Sequence, residues 1–226
     1  MNLQVTISTS IIFVLSVVLA TLLTQNAVKK RGLSYAFWSV GMWLFSIGVA
    51  LEIAFSAGVF NSVLIDGYTL IVAMLVGFLA LGSMSLTHRK TTFRLYALYF
   101  AFSTAFLVVS LTITHIGNII VGGVVYGALP LLVVISSSVV TFPAAVILIV
   151  VSLVSYRRSR DWKLLSIVAG VIVVSIAGTL YVAAFPSFLY IAEFIGILLL
   201  WIGFVDFRYI SNSRGVSNKD VISNVR

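Results

Sequence analysis

Two glutamates stand where chemistry would need a reason for them. Glu52 lies in "WLFSIGVALEIAF" (Trp43 to Phe55) and Glu193 in "LYIAEFIG" (Leu189 to Gly196), each inside a run that otherwise reads as membrane-spanning helix. A carboxylate at membrane depth is costly and serves to carry a proton, bind a cation or hydrogen-bond another helix. At about 1.5 Å per residue, Glu52 falls roughly 8 Å in from the outer end of its helix and Glu193 roughly 9 Å in from the start of its own, so the two share a depth. Gly41, Gly48 and Glu52 occupy a narrow arc of one helix, and Gly196 and Gly203 share one side of the other with Glu193 beside them. Small residues mark close helix approach, so both carboxylates are expected to face the bundle. No Lys or Arg falls at that depth, which favours a held or shared proton over a salt bridge. Two readings follow. In the first, Glu52 and Glu193 line an outward-opening pocket for a proton, a cation or a small cationic ligand. In the second, each is a packing group bonded to a hydroxyl such as Tyr181, Tyr190 or Thr179.

The remaining candidates are fewer. His88 is expected in a loop on the opposite membrane face from His115, so the two histidines cannot share a zinc ion or a haem. His115, near the outer mouth, is either a pH-sensitive group or a solvated interfacial histidine. Pro143, in "SSSVVTFPAAV", removes a backbone bond from its helix; Ser136, Ser137, Ser138 and Thr141 could satisfy the freed carbonyls, leaving a kink that is either a hinge or static. The chain has no cysteine, which excludes disulfides, thiolate metal sites and cysteine nucleophiles. There is no HExxH, nucleophile elbow or histidine cluster, so no enzymatic activity, metal or cofactor is expected.

These residues must be positioned by membrane helices. Of 226 residues, 61% are hydrophobic and 9% charged, against about 45–50% apolar in soluble domains. The apolar residues come in blocks of about twenty, enough to cross a hydrocarbon core about 30 Å thick. An all-α integral membrane protein with seven spans is expected: helix 1 from about Val5 to Thr24, helix 2 Ser34 to Ala57, helix 3 Gly67 to Leu86, helix 4 Phe93 to Thr114, helix 5 Leu129 to Tyr156, helix 6 Trp162 to Phe185 and helix 7 Ser187 to Phe207. Residues 1–207 then form one transmembrane domain, and 208–226 a short basic tail. The first block lacks the cleavage pattern of a signal peptide and reads as a retained helix.

All fourteen basic residues sort to one side: Lys29 to Arg31, Arg89 to Arg94, Arg157 to Lys163, and the tail. The positive-inside bias then puts the N-terminus outside and the C-terminus in the cytoplasm of a multi-pass cell-membrane protein. The net charge of +8 reports this orientation, with no nucleic-acid partner implied. Splitting the apolar stretch 119–156 into two spans would break the asymmetry, so it is read as one. The Gly-rich "GNIIVGGVVYGALP" (Gly117 to Pro130) becomes an outer connection, in part a hairpin or lying in the interface. Its Gly123 and Gly127 form a GxxxG that could alternatively be a helix-contact face. Trp38, Trp162, Tyr35, Tyr156 and Tyr209 fall near predicted cytoplasmic ends, as an interfacial aromatic belt would. A covalently bound retinal is ruled out, because helix 7 has no lysine.

In helix 2, "FWSVGMWLFSIGVALEI" resembles the Trp-to-Glu pattern of the seven-helix sensory modules that precede microbial histidine kinases. Thr114, His115, Tyr126 and Gly127 are similar to that family's outer connection between helices 4 and 5. The resemblance covers about a quarter of the chain and implies an outward sensor pocket with a cytoplasmic output. The nineteen residues after Phe207 are too few for a kinase domain, so a sensor without its own kinase is expected. A sensor of this kind would pass its signal to a protein partner through its cytoplasmic loops and tail.

Overall fold

The structure, a computed structural model, describes residues 3–87, 90–114, 116–117, 120–121, 124–125, 129–160, 162–163, 165–170, 172–173 and 186–204. The chain is helical: α1 (Leu3–Lys30), α2 (Leu33–Ser56), α3 (Ser62–Ser85), α4 (Lys90–Ile113), α5 (Leu131–Ser159), α6 (165–170 and 172–173 among the described residues) and α7 (Pro186–Phe204). Of the seven helices counted among the described residues, α1 to α5 are long and apolar enough to cross a membrane, while the described apolar stretch of α7, Ile191–Gly203, is shorter. Between α4 and α5 lies a small antiparallel hairpin of β1 (Ile120–Val121) and β2 (Val124–Val125), with Ile120 opposite Val125. The Gly-rich connection is thus partly a hairpin, and residues 131–159 form a single helix. Gly123, Tyr126 and Gly127 lie outside the described residues.

The helix limits show where local chemistry overrides hydropathy. α1 continues through the lysines to Lys30, where Arg31 turns into the left-handed region at φ 46° and an extended Gly32 starts α2. Gly58, at φ 86°, turns the chain after α2; in that conformation a side chain would be strained. Helix 3 begins at Ser62 and not at the expected Gly67, because the Asn61 side chain accepts a hydrogen bond from the Leu64 N–H at 2.8 Å. Asp66 lies soon after this capped start, where a negative charge favours the helix dipole, so its charge does not mark a loop. Asp66 and Tyr68 therefore both belong to α3.

The helices pack as a connected bundle. α2 lies between α1 and α3, α3 also contacts α4 and α5, and α7 packs on α1; β2 folds back onto α2. Polar side chains bridge several of these contacts. Ser46 on α2 donates to Ser16 on α1 at 2.9 Å, and the Trp43 indole donates to Thr24 on α1 at 3.1 Å. On α7, Trp201 donates to the Leu15 carbonyl of α1 at 3.1 Å. Trp38 proves to be a core residue and not part of an aromatic belt. It is buried, and its indole donates to the Leu79 carbonyl of α3 at 3.2 Å. Its ring lies over Gly82, where a Cβ would collide with it, and Phe100 of α4 lies over Gly77 in the same way. Trp162, by contrast, is exposed and sets its ring edge-on to Tyr156, as an interfacial aromatic would.

Candidate functional site

Glu52 is positioned by the turn that joins α2 to α3. The chain reverses over 57–61, so residues at matching distances from this turn face each other. Glu52 is four residues before Ser56 and Tyr68 six after Ser62, which sets them roughly 6 and 9 Å from the helix ends. The Tyr68 hydroxyl donates to Glu52 Oε1 at 2.6 Å, at the short end of the range for a phenol on a carboxyl oxygen. Phe55, itself buried, holds the Tyr68 ring edge-on at 5.7 Å between centroids. The same face of α2 presents Gly41 to Leu75 and Leu79 of α3. The glycine arc containing Glu52 thus faces α3.

Glu52 is 5% exposed. Its second oxygen, Oε2, is buried without a hydrogen-bond partner, and so is Oε2 of Glu193. Glu193 is carried on α7 beside buried Gly196. Farther along, Gly203 abuts Ile167 of α6, and Gly170 of α6 approaches the Gly196 carbonyl. α7 packs on α1 and α6. The bonded pair of the site thus draws on two helices, Glu52 from α2 and Tyr68 from α3, while Glu193 is carried on α7. Among the described residues no group of three or more His, Cys, Asp or Glu could hold a metal ion. Asp66 is two residues before Tyr68, about 200° away around α3, and so on its opposite side.

The other expected residues fall as follows. Tyr181, Thr179, His88, His115 and Tyr209 lie outside the described residues. Tyr190 is in the first turns of α7, but its side chain is outside the described set. Pro143 lies within a continuous α5. Without an N–H it leaves the Val139 carbonyl, four residues back, unbonded within the helix. The nearby hydroxyls do not take it: Ser137 bonds the Val134 carbonyl and Thr141 that of Ser137. Tyr99 of α4 does so instead, its hydroxyl donating to the Val139 carbonyl at 2.7 Å. The proline therefore creates an acceptor that ties α4 to α5.

No protein-family model, curated protein or solved structure matches the chain. Its geometry must therefore carry the functional reading. Tyr68 and Tyr99 were the residues that sequence reasoning missed. Tyr68 could have been found from Asn61, a capping residue type one position before a helix start, since moving that start back brings Tyr68 level with Glu52. Tyr99 carries no sequence signal toward Val139, because only the packing of α4 on α5 brings them together.

Proposed function

We propose that this helical membrane protein is a seven-span sensor- or receptor-like module of the cell membrane, N-terminus outside and C-terminus cytoplasmic. Its ligand site is the cluster of Glu52, Tyr68 and Glu193 in the outer half of the bundle. The observation that carries the reading is a buried carboxyl group, Glu52, held by a phenol from a second helix, with a buried oxygen left unpartnered there and another on Glu193 of α7. Packing alone does not require this, since a hydroxyl or an apolar residue would join the helices without desolvating an acid. The Trp-to-Glu pattern of α2 and its likeness to sensory modules agree with this function.

A proton- or cation-linked transporter would use the same carboxylates, but it needs a path to the other face. The inner halves of α2 and α3 hold no carboxylate and no basic side chain. Among their buried polar groups, Ser39, Trp38 and Ser83 are bonded to backbone carbonyls. This favours sensing with output through a protein partner at the basic cytoplasmic loops. The test is gentle extraction from the native membrane, with copurifying proteins and small molecules identified for the wild type and for Glu52→Gln/Glu193→Gln. A sensor is expected to bring down a cytoplasmic protein and to lose small-molecule occupancy or change partner association in the variant. Identical copurification, with only the melting temperature lowered, would refute the reading.

A further inference from the structure

We propose that the end of the bundle where α2 and α4 start binds an anionic phospholipid of the surrounding bilayer. Its phosphate sits among Lys90, Arg94 and the bases of Lys29 to Arg31, and one acyl chain lies over phenylalanines from three helices. The proposal goes beyond the proposed function and holds whichever way the chain crosses the membrane and whatever the Glu52 site binds. The phenylalanines are the starting observation. Phe37 of α2 lies 6.3 Å from Phe78 of α3 and 5.9 Å from Phe93 of α4, between ring centroids. Phe78 in turn meets Phe100 of α4 edge-on at 5.5 Å. α2 and α4 each pack on α3, so these rings bridge the two outer helices across it. Phe100 is buried, whereas Phe37, Phe78 and Phe93 keep part of their surface exposed. All three belong to helices long and apolar enough to cross a membrane, where such surface is covered by lipid chains.

The bases stand at the rim of this platform. Phe37 is four residues into α2 and Phe93 three residues into α4, roughly 6 and 4.5 Å from the helix starts, so the contact between their rings sets the two starts nearly level. Lys90 and Arg94 are one helical turn apart and share an arc of about 100° with Phe93; both are exposed. Lys29, Lys30 and Arg31, exposed as well, come just before α2. The Lys30 ammonium is held there, 5.0 Å from the centroid of the Tyr35 ring and donating to its hydroxyl at 3.3 Å. Charge selects the headgroup. The first 160 residues contain two acids, Glu52 and Asp66, and both lie toward the opposite ends of α2 and α3. A phosphodiester of net negative charge meets these bases with no carboxylate of α1 to α5 beside it, whereas a choline headgroup would add a cation that none of those helices neutralises. An acidic protein segment would match the charge but would leave the rings uncovered. A phospholipid has its charge and its apolar chain in the order in which this surface presents bases and then phenylalanines.

The full chain in detergent is titrated with phosphatidylglycerol or with phosphatidylcholine of the same acyl chains, and bound lipid is counted by native mass spectrometry. Each base near a headgroup changes affinity for an anionic lipid by about fivefold. Phosphatidylglycerol is therefore expected to fill one site more tightly than phosphatidylcholine by roughly twentyfold or more. Lys90→Gln/Arg94→Gln should weaken phosphatidylglycerol by roughly twentyfold and leave phosphatidylcholine unchanged. Arg157→Gln/Arg160→Gln, which removes two exposed bases at the end of α5, should leave the site within about twofold of the wild type, a change smaller than one base supplies. Phosphatidylglycerol carrying a diazirine in its acyl chain should, on irradiation in nanodiscs, label peptides that contain Phe37, Phe78 or Phe93. Equal binding of the two lipids would overturn the proposal and leave the bases to an acidic protein. An equal loss in the Arg157/Arg160 variant, or labelling confined to other helices, would overturn it too. The comparison of the two lipids on the unsubstituted chain decides the point even if a variant does not fold.

Discussion

The bond from Tyr99 to the Val139 carbonyl makes a prediction that a contact list alone would not. Pro143 lacks the N–H that would bond this carbonyl within α5, and Tyr99 replaces it from α4 at 2.7 Å. Tyr99 is 40% exposed on the outer surface of the bundle, a surface that lipid rather than water would cover. An unpaired carbonyl there has no solvent to turn to. Interhelical hydrogen bonds in membranes average about 0.6 kcal/mol and reach about 1.7 kcal/mol. The upper end applies here because loss of the phenol strands an acceptor that the helix itself cannot satisfy. Tyr99→Phe should therefore destabilise the protein by about 1–2 kcal/mol. In a Pro143→Ala background the alanine N–H can bond Val139, and the same substitution should cost about 0.5 kcal/mol or less. The coupling between the two positions is then about 1 kcal/mol. Reversible SDS-driven unfolding of the four proteins in bicelles, followed by tryptophan fluorescence, measures it. Equal costs of Tyr99→Phe in both backgrounds would refute the idea that the proline creates the acceptor.

Other outcomes follow from the same packing. Tyr68→Phe should lower stability by about 1.5–3 kcal/mol if Glu52 is ionised, and by about half as much in Glu52→Gln, where the acceptor is neutral; the same unfolding assay reads both. Gly77→Ala and Gly82→Ala place a methyl against Phe100 and Trp38 and should each cost about 1–3 kcal/mol. Gly67→Ala, in α3 with nothing within 4 Å of the new methyl, should be stabilising by about 0.5–1 kcal/mol through helix propensity. The absence of native cysteine makes orientation directly measurable. Phe60→Cys should label with a membrane-impermeant maleimide on intact cells and Lys90→Cys only after lysis, and the reverse pattern would overturn the N-terminus-out topology.

The parts of the fold that were legible in the sequence are those governed by local physics. Twenty-residue apolar blocks locate helices because each must satisfy its own backbone in lipid, and α2 and α4 end within a few residues of where hydropathy places them. Helix 3 was the exception. Asp66 and Gly67 break the apolar pattern, and the signal that overrides them is one hydrogen bond from Asn61 to the Leu64 N–H, which hydropathy does not register.

For the site, the linear pattern determined that Glu52 lies on a glycine-lined face, because helical periodicity is a property of the chain itself. Only the tertiary structure decided who meets whom. Tyr68 reaches Glu52 because a five-residue reversal aligns α2 with α3; Trp38 turns into the core because Gly82 leaves room for its ring; and Tyr99 closes the gap left by Pro143 because α4 packs on α5. Each of these partnerships joins residues from different helices whose rotation and offset are set by packing, and no single helix carries that information in its own sequence.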